Sequence, residues 1–140
     1  MSLILQLHQL MFFVVLALGA VMLICGLALI WLARGVRVDE DAAAAGATGG
    51  SLGLVRTIFR RVTAVTAGAG VVQAVLGGVL FLGGKRPADN LHLVYGLIVL
   101  IAIPVAYAYS DQKQVRRDII IMTIAAVAII GAAIRAFVTG

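Results

Sequence analysis

The sequence predicts an all-α membrane protein, a polytopic bundle of four transmembrane helices in one domain. Of its 140 residues 63% are hydrophobic and only 12% are charged, far from the composition of soluble globular domains. The apolar residues fall into four long runs, each near or above the ~20 residues that a helix needs to cross a bilayer. The basic residues cluster at the ends of these runs, as they do in membrane proteins.

The first span is predicted at about 8–33, because no charged side chain precedes Arg34. Trp31 suits the lipid–water interface at its far end. His8 lies just before the main apolar stretch, near the opposite surface. Cys25, the single cysteine, forms no intrachain disulfide, and we interpret it as a small buried hydrophobe.

The segment 34–55 is predicted to be a mobile cytoplasmic loop. It carries three consecutive acidic residues at 39–41 and a tract of Ala, Gly, Ser and Thr. This composition cannot bury enough apolar area to offset the entropy lost on ordering.

The second span, at about 56–83, contains a stripe of small residues. Gly70, Ala74 and Gly78 recur at every fourth position, which lets the backbone of a neighbouring helix approach closely. The stripe also fits a second interpretation, in which it makes room for a flat macrocycle. Gln73 is the only strongly polar side chain in the apolar part of this span, so it needs a partner, either another helix or a ligand.

The third and fourth spans are predicted at about 90–110 and 118–138. Asp89 or Asn90 can cap the third helix through its first backbone amides. His92, the second of the chain's two histidines, lies on its first turn.

The fourth span begins at Asp118, which opposes the helix dipole. Beyond that residue the span contains one charge, Arg135, near its C-terminal end.

Lys and Arg are distributed unequally between the two ends of the helices. The first and third loops carry eight near helix ends against three on the other side: Arg34, Arg37, Arg56, Arg60, Arg61, Lys113, Arg116 and Arg117 against Lys85, Arg86 and Arg135. The side richer in Lys and Arg stays in the cytoplasm. We therefore predict a multi-pass protein of the plasma (inner) membrane, with both termini outside and loops 34–55 and 111–117 cytoplasmic. Since the charge sets topology, lipid is expected as a partner and nucleic acid is not.

The histidines begin two helices that run parallel, so both lie near the outer surface. Two imidazoles on facing helices of a bundle can bind haem iron axially. Gly96 lies one turn after His92 on the same face, where a side chain would collide with a porphyrin. We interpret His8 and His92 as candidate ligands of a haem b, with Gly96, Gln73 and Arg135 as candidate contacts, Arg135 through a haem propionate.

Each of these residues also has an ordinary interpretation. Histidines at the membrane surface are commonly hydrogen-bonded only to water or backbone, and Arg135 can extend its charge to the lipid headgroups. The two histidines are also predicted at different depths in the membrane, because 24 residues separate His8 from Leu32 and 17 separate His92 from Tyr109. At 1.5 Å per residue the two helical segments differ in length by ~10 Å. The longer helix must tilt or protrude from the membrane for the two histidines to lie at the same depth.

One segment, 69–100, carries a family resemblance. Gln73, Gly77 and Gly78 are followed by a short outer loop and by a histidine between two leucines at 91–93. This arrangement resembles the haem-binding repeat of haem A synthase. That family consists of two four-helix halves, each with paired haem-ligating histidines on its outer side. The resemblance implies that the histidine of 91–93 and His8 are ligands.

The chain departs from the family around its first histidine. The family usually has a Glu-x-x-His-Arg motif, whereas here Leu5 and Gln9 flank His8. The chain is also only half as long as the proteins of that family. Two copies would have to assemble to provide both four-helix halves. The resemblance therefore supports the ligands rather than the family's oxygenation chemistry.

Two functions fit these observations. The first is a small bis-histidine haem protein for electron transfer or haem handling. The second is a cofactor-free accessory or structural subunit, whose small-residue stripes dock onto a larger respiratory or photosynthetic membrane complex or onto a second copy of the chain. No catalytic residue is predicted, because Ser, Cys and His do not gather into a nucleophile system. Whether the protein is an enzyme stays open.

Overall fold

The computed structural model describes residues 2–32, 51–110 and 115–140, and within these ranges all regular secondary structure is helical. The four helices follow in chain order: α1 (Ser2–Leu32), α2 (Ser51–Leu82), α3 (Leu91–Tyr109) and α4 (Val115–Thr139). Each contains a stretch long and apolar enough to cross a membrane. The predicted fold class, an all-α bundle of four membrane-spanning helices, is confirmed.

Three helices begin earlier than the sequence predicts. α1 begins at Ser2, because residues 3–7 are uncharged, rich in Leu, and contain no Gly or Pro that would stop a helix. α2 begins at Ser51, so the prediction of a loop is wrong for 51–55, where apolar residues already continue the pattern of the span. The rest of that predicted loop, 34–50, lies outside the described residues. α4 begins at Val115, so residues 115–117 of the predicted loop 111–117 belong to the helix, and 111–114 lie outside the described residues.

The helices form a ring in chain order. α1 packs along α2 and α4, and α3 packs along α4, whereas α2 and α3 touch over a smaller area. α1 and α3 are therefore diagonal and parallel, as are α2 and α4. One end of the bundle holds His8 and His92 and is referred to as the histidine end. The other holds the arginines that begin α2 and α4 and is referred to as the arginine end.

The core is built from side chains on one face of each helix. On α1, Val15, Met22 and Leu29 recur every seven residues, and each is at most 1% exposed. Ala126 and Ile129 on α4 are fully buried. A stripe of this kind buries one face of a helix. The opposite faces carry exposed Leu, Ile, Val and Phe, which suits contact with lipid tails.

Three buried hydroxyl groups are satisfied within their own helices. Thr63, Thr66 and Thr123 each donate to the backbone carbonyl four residues earlier, at 2.8, 2.7 and 2.6 Å. Because each hydroxyl group already donates to its own helix, little hydrogen-bonding capacity remains for a ligand. These threonines belong to the packed core.

The turn after α2 is closed by backbone hydrogen bonds. The Gly84 N–H donates to Phe81 O at 3.1 Å and the Lys85 N–H to Leu80 O at 3.0 Å, the two bonds of a Schellman motif. Gly84 has a φ of +84°, a conformation that favours glycine. The turn thereby ends α2 sharply and starts the short connection to α3.

Candidate functional site

The start of α3 is fixed to the end of α4. The Asp89 carboxylate accepts a hydrogen bond from the Leu91 N–H at 2.9 Å, which confirms the predicted cap and assigns it to Asp89. Asn90 makes no side-chain cap bond. The Asp89 N–H donates to the backbone oxygen of Thr139 at 3.3 Å. The first turn of α3 is therefore held against the last turn of α4.

His92 is oriented by this contact. It is the second residue of α3, half-buried, and its Nδ1 lies 2.8 Å from the backbone oxygen of Ala136. The carbonyls of a last helical turn have few partners in their own helix. Because a carbonyl oxygen only accepts, the Nδ1 of His92 carries the proton, and in the neutral ring the lone pair is on Nε2. Metal-ligating histidines commonly have this arrangement.

His8 occupies a space left by a glycine. It lies in the second turn of α1 and is half-buried. A Cβ built on Gly77 of α2 would lie 3.2 Å from His8 Cε1 and 3.8 Å from its Nδ1. The backbone of Gln73, one turn earlier on α2, also interacts with the ring. Within the described residues the buried Nδ1 of His8 has no hydrogen-bond partner.

The two imidazoles lie close together across the bundle. Their ring centroids are 6.1 Å apart and their planes are inclined by 52°. The helices that carry them are diagonal and differ in length, with 31 residues in α1 and 19 in α3. The unequal spacing from the arginine end therefore does not keep the rings apart.

Gln73 contributes a second unpartnered atom near His8. Its Oε1 is buried, and nothing in the described part of the chain forms a hydrogen bond with it. Leaving a buried acceptor unsatisfied costs ~1–3 kcal/mol, and most buried polar atoms in native proteins have a partner. Gln73 and His8 thus leave hydrogen-bonding capacity in the same region of the bundle.

The surroundings of Gly96 and Arg135 are more open than those of the two half-buried imidazoles. A Cβ built on Gly96 meets no atom within 4 Å, so this position adjoins open space. The exposed Arg135 guanidinium lies 5.7 Å from the centroid of the Tyr95 ring. The charge of Arg135 is also attracted by the Tyr95 side chain and by the Asp89 carboxylate. Its charge is thereby held at the surface of the histidine end.

Sequence reasoning missed three contacts of this site. The carbonyl of Ala136 has no side-chain signal, because any residue would supply it. Gly77 was noted in the segment that carries the family resemblance, but the sequence did not indicate that it lies next to His8. Tyr95 follows His92 by three residues, a spacing that places both on one face of α3, and this spacing is the signal that could have identified it.

In the ranges that the structure describes, no group of three or more His, Cys, Asp or Glu side chains is arranged to hold a metal ion. Two imidazoles suit a metal that brings its other ligands with it, as haem iron does. Comparison with protein-family models, with curated proteins and with solved structures found no match to this chain.

Proposed function

We propose that this protein binds a haem b between His8 and His92 and uses it in electron transfer or haem handling. The proposal is carried by the 6.1 Å separation of the two ring centroids. At this separation the two imidazoles could hold one haem iron between them. The resemblance of 69–100 to the haem A synthase repeat points in the same direction and stays a prediction.

The donor atoms fit the group. His92 would bind through Nε2, because its Nδ1 is engaged with Ala136 O. His8 would be the opposite ligand, and its unpartnered Nδ1 lies in the region of the unpartnered Gln73 Oε1. The small contact between α2 and α3 and, separately, the open space beside Gly96 on α3 are two places where a flat group could approach the bundle.

The chain's own residues would hold and shield the group. When bound, haem supplies a one-electron couple whose potential depends on its axial ligands and on burial. Ala136 fixes the ring of His92, and Gly77 leaves room for that of His8. Arg135 offers a charge-assisted partner for a propionate at the surface. The apolar helix faces exclude water.

The proposed location is the plasma membrane, with the histidine end outside. The excess of Lys and Arg at the opposite end supports this orientation. Both termini would then be outside, and the first and third loops would be cytoplasmic.

A visible absorption spectrum tests the proposal. Protein purified after expression with a haem precursor should show a Soret band, because two imidazoles hold the iron. The band should be lost in His92→Ala and in His8→Ala, since each removes one axial ligand. Gln9→Ala is the matched control, because Gln9 adjoins His8 but is exposed, and its band should persist.

Circular dichroism and size-exclusion chromatography establish that each variant is folded. A colourless wild-type protein that is fully helical and does not bind added haemin contradicts the proposal. So does a Soret band that survives when both histidines are replaced.

A second function, the accessory or structural subunit, has one observation in its favour. Side chains built on Gly68, Gly78 and Gly131 would meet nothing within 4 Å, so small residues lie on outer surfaces where another helix can approach closely. A colourless protein that co-purifies from native membranes in stoichiometric amounts with a larger complex supports this function over the first.

A further inference from the structure

Basic side chains are concentrated at the arginine end of the bundle. Arg56 and Arg60 are four residues apart on α2, so they share one face. Arg56 is half-buried and Arg60 is exposed, so two like charges lie one helical turn apart, a spacing at which they repel each other. Three further exposed arginines lie at the same end: Arg61, Arg116 and Arg117.

The packing of the helices explains why Arg56 is held in place. A Cβ built on Gly26 of α1 would collide with Thr123 of α4 and would lie 3.2 Å from Phe59 of α2. The missing side chain therefore lets α2 and α4 converge on α1. One turn nearer the arginine end, Asp118 of α4 interacts with Arg56 across this junction.

Charge is not balanced among the described residues at this end. In the described ranges Asp118 is the one carboxylate whose charge attracts Arg56, and the residue one turn further along α2 is the like-charged Arg60. Two guanidinium groups on one helix face repel each other unless an anion lies between them. A phosphate oxygen pair suits this geometry, because guanidinium groups bind phosphate through two parallel hydrogen bonds.

The depth of these residues points to a lipid phosphate. Arg60 and Arg61 directly precede an uncharged stretch at 62–84, and Arg117 and Asp118 precede another at 119–134. Trp31 and Tyr109 lie in the last turns of α1 and α3, at the same end of the bundle, and are 69% and 67% exposed. Exposed Trp and Tyr mark the headgroup region of a membrane.

We propose that Arg56 and Arg60 form a binding site for the headgroup phosphate of an anionic phospholipid, with Asp118 orienting Arg56. The site is at the end of the bundle opposite the histidines and does not depend on a bound haem. Its ligand is one phosphodiester, supplied by the membrane rather than by soluble phosphate. The bound lipid stabilises the junction of α1, α2 and α4.

Thermal unfolding in vesicles tests the site and separates the two sources of phosphate. The protein is placed in phosphatidylcholine, in phosphatidylcholine mixed with phosphatidylglycerol, and in phosphatidylcholine with inorganic phosphate in the buffer. Phosphatidylglycerol should raise the Tm of the wild type by about 3 °C or more, and inorganic phosphate should not. Arg56→Gln/Arg60→Gln should lose the rise.

Two further variants keep the result interpretable. Lys85→Gln/Arg86→Gln removes the same charge at the histidine end and should retain the full rise. Arg56→Lys/Arg60→Lys keeps the charge, but it should lose most of the rise, because an ammonium binds phosphate only as a point charge and lacks the two parallel hydrogen bonds of a guanidinium.

Three results overturn the proposal. They are an equal rise with inorganic phosphate alone, an equal loss of the rise in Lys85→Gln/Arg86→Gln, and a full rise in Arg56→Lys/Arg60→Lys.

Discussion

At the scale of single residues, the two histidines are not equivalent. The Nδ1–H of His92 is engaged with the carbonyl of Ala136 at 2.8 Å, so this ring has a fixed tautomer. The ring of His8 has no such bond at Nδ1 and lies in the space beside Gly77, next to the backbone of Gln73. Packing at Gly77 therefore contributes to the position of His8.

Gly77→Val should displace the ring of His8. A Cβ at this position would already lie 3.2 Å from His8 Cε1, and overpacking of this kind typically costs about 1–3 kcal/mol. The expected result is a lower midpoint of unfolding and, if haem is bound, a weakened Soret band.

Gly78→Val is the control for that change, because a Cβ there meets nothing within 4 Å. The two variants are adjacent on α2 and change helix propensity equally. Identical unfolding midpoints and spectra for both would show that Gly77 does not provide the space for His8.

At the scale of elements, α1 organises the bundle. It packs against both α2 and α4, and its Gly26 is the point where Phe59 and Thr123 converge. The core stripe of α1 repeats every seven residues, so one helix face serves both neighbours.

Gly26→Ala should destabilise the bundle by about 1–3 kcal/mol, because the added methyl group has no space. The fraction of folded helix measured against denaturing detergent gives the free energy of unfolding. Gly68→Ala, at a position open on α2, should be neutral or stabilising by up to about 1 kcal/mol, because alanine favours helix over glycine. A Gly26→Ala protein as stable as Gly68→Ala would refute this account of the junction.

At the scale of the whole molecule, the ring of four helices puts both termini at the histidine end. The side of the membrane that this end faces is a prediction from charge. The arginine end carries more Lys and Arg, and the side richer in these residues is typically cytoplasmic, so we expect the histidine end outside.

Reporter fusions measure that orientation. Alkaline phosphatase should be active when fused after Gly140 and inactive when fused after Ser110, because it needs the oxidising outer compartment to form its disulfides. A fluorescent reporter that folds only in the cytoplasm should give the opposite pattern. Active phosphatase after Ser110, with inactive enzyme after Gly140, would show that the protein has the inverse orientation.

Much of the fold can be predicted from local sequence. The lengths of the four apolar runs and the scarcity of charge within them specify the spans, and Asp89 was identified as a candidate cap. The helix starts at Ser2, Ser51 and Val115 were missed, because a helix continues beyond the apolar part of its span without a clear boundary signal. Of the candidate site, only the histidines could be predicted, because histidine is rare in this sequence. Gly77 and Ala136 could not be predicted, because a glycine leaves space for a ring, and a backbone carbonyl accepts its hydrogen bond, only where the fold brings them into contact.

The chain's composition and the placement of its charges specify four helices, their membrane environment and the end at which each histidine lies. These properties are local, since each depends on about twenty consecutive residues and on the cost of burying charge in lipid. The distance of 6.1 Å between the imidazoles depends on the rotation of α1 and α3 about their axes. That rotation is determined by packing, for α1 through Gly26 against Phe59 and Thr123 and for α3 through Val99 against Gly70, and no single segment of the chain contains it.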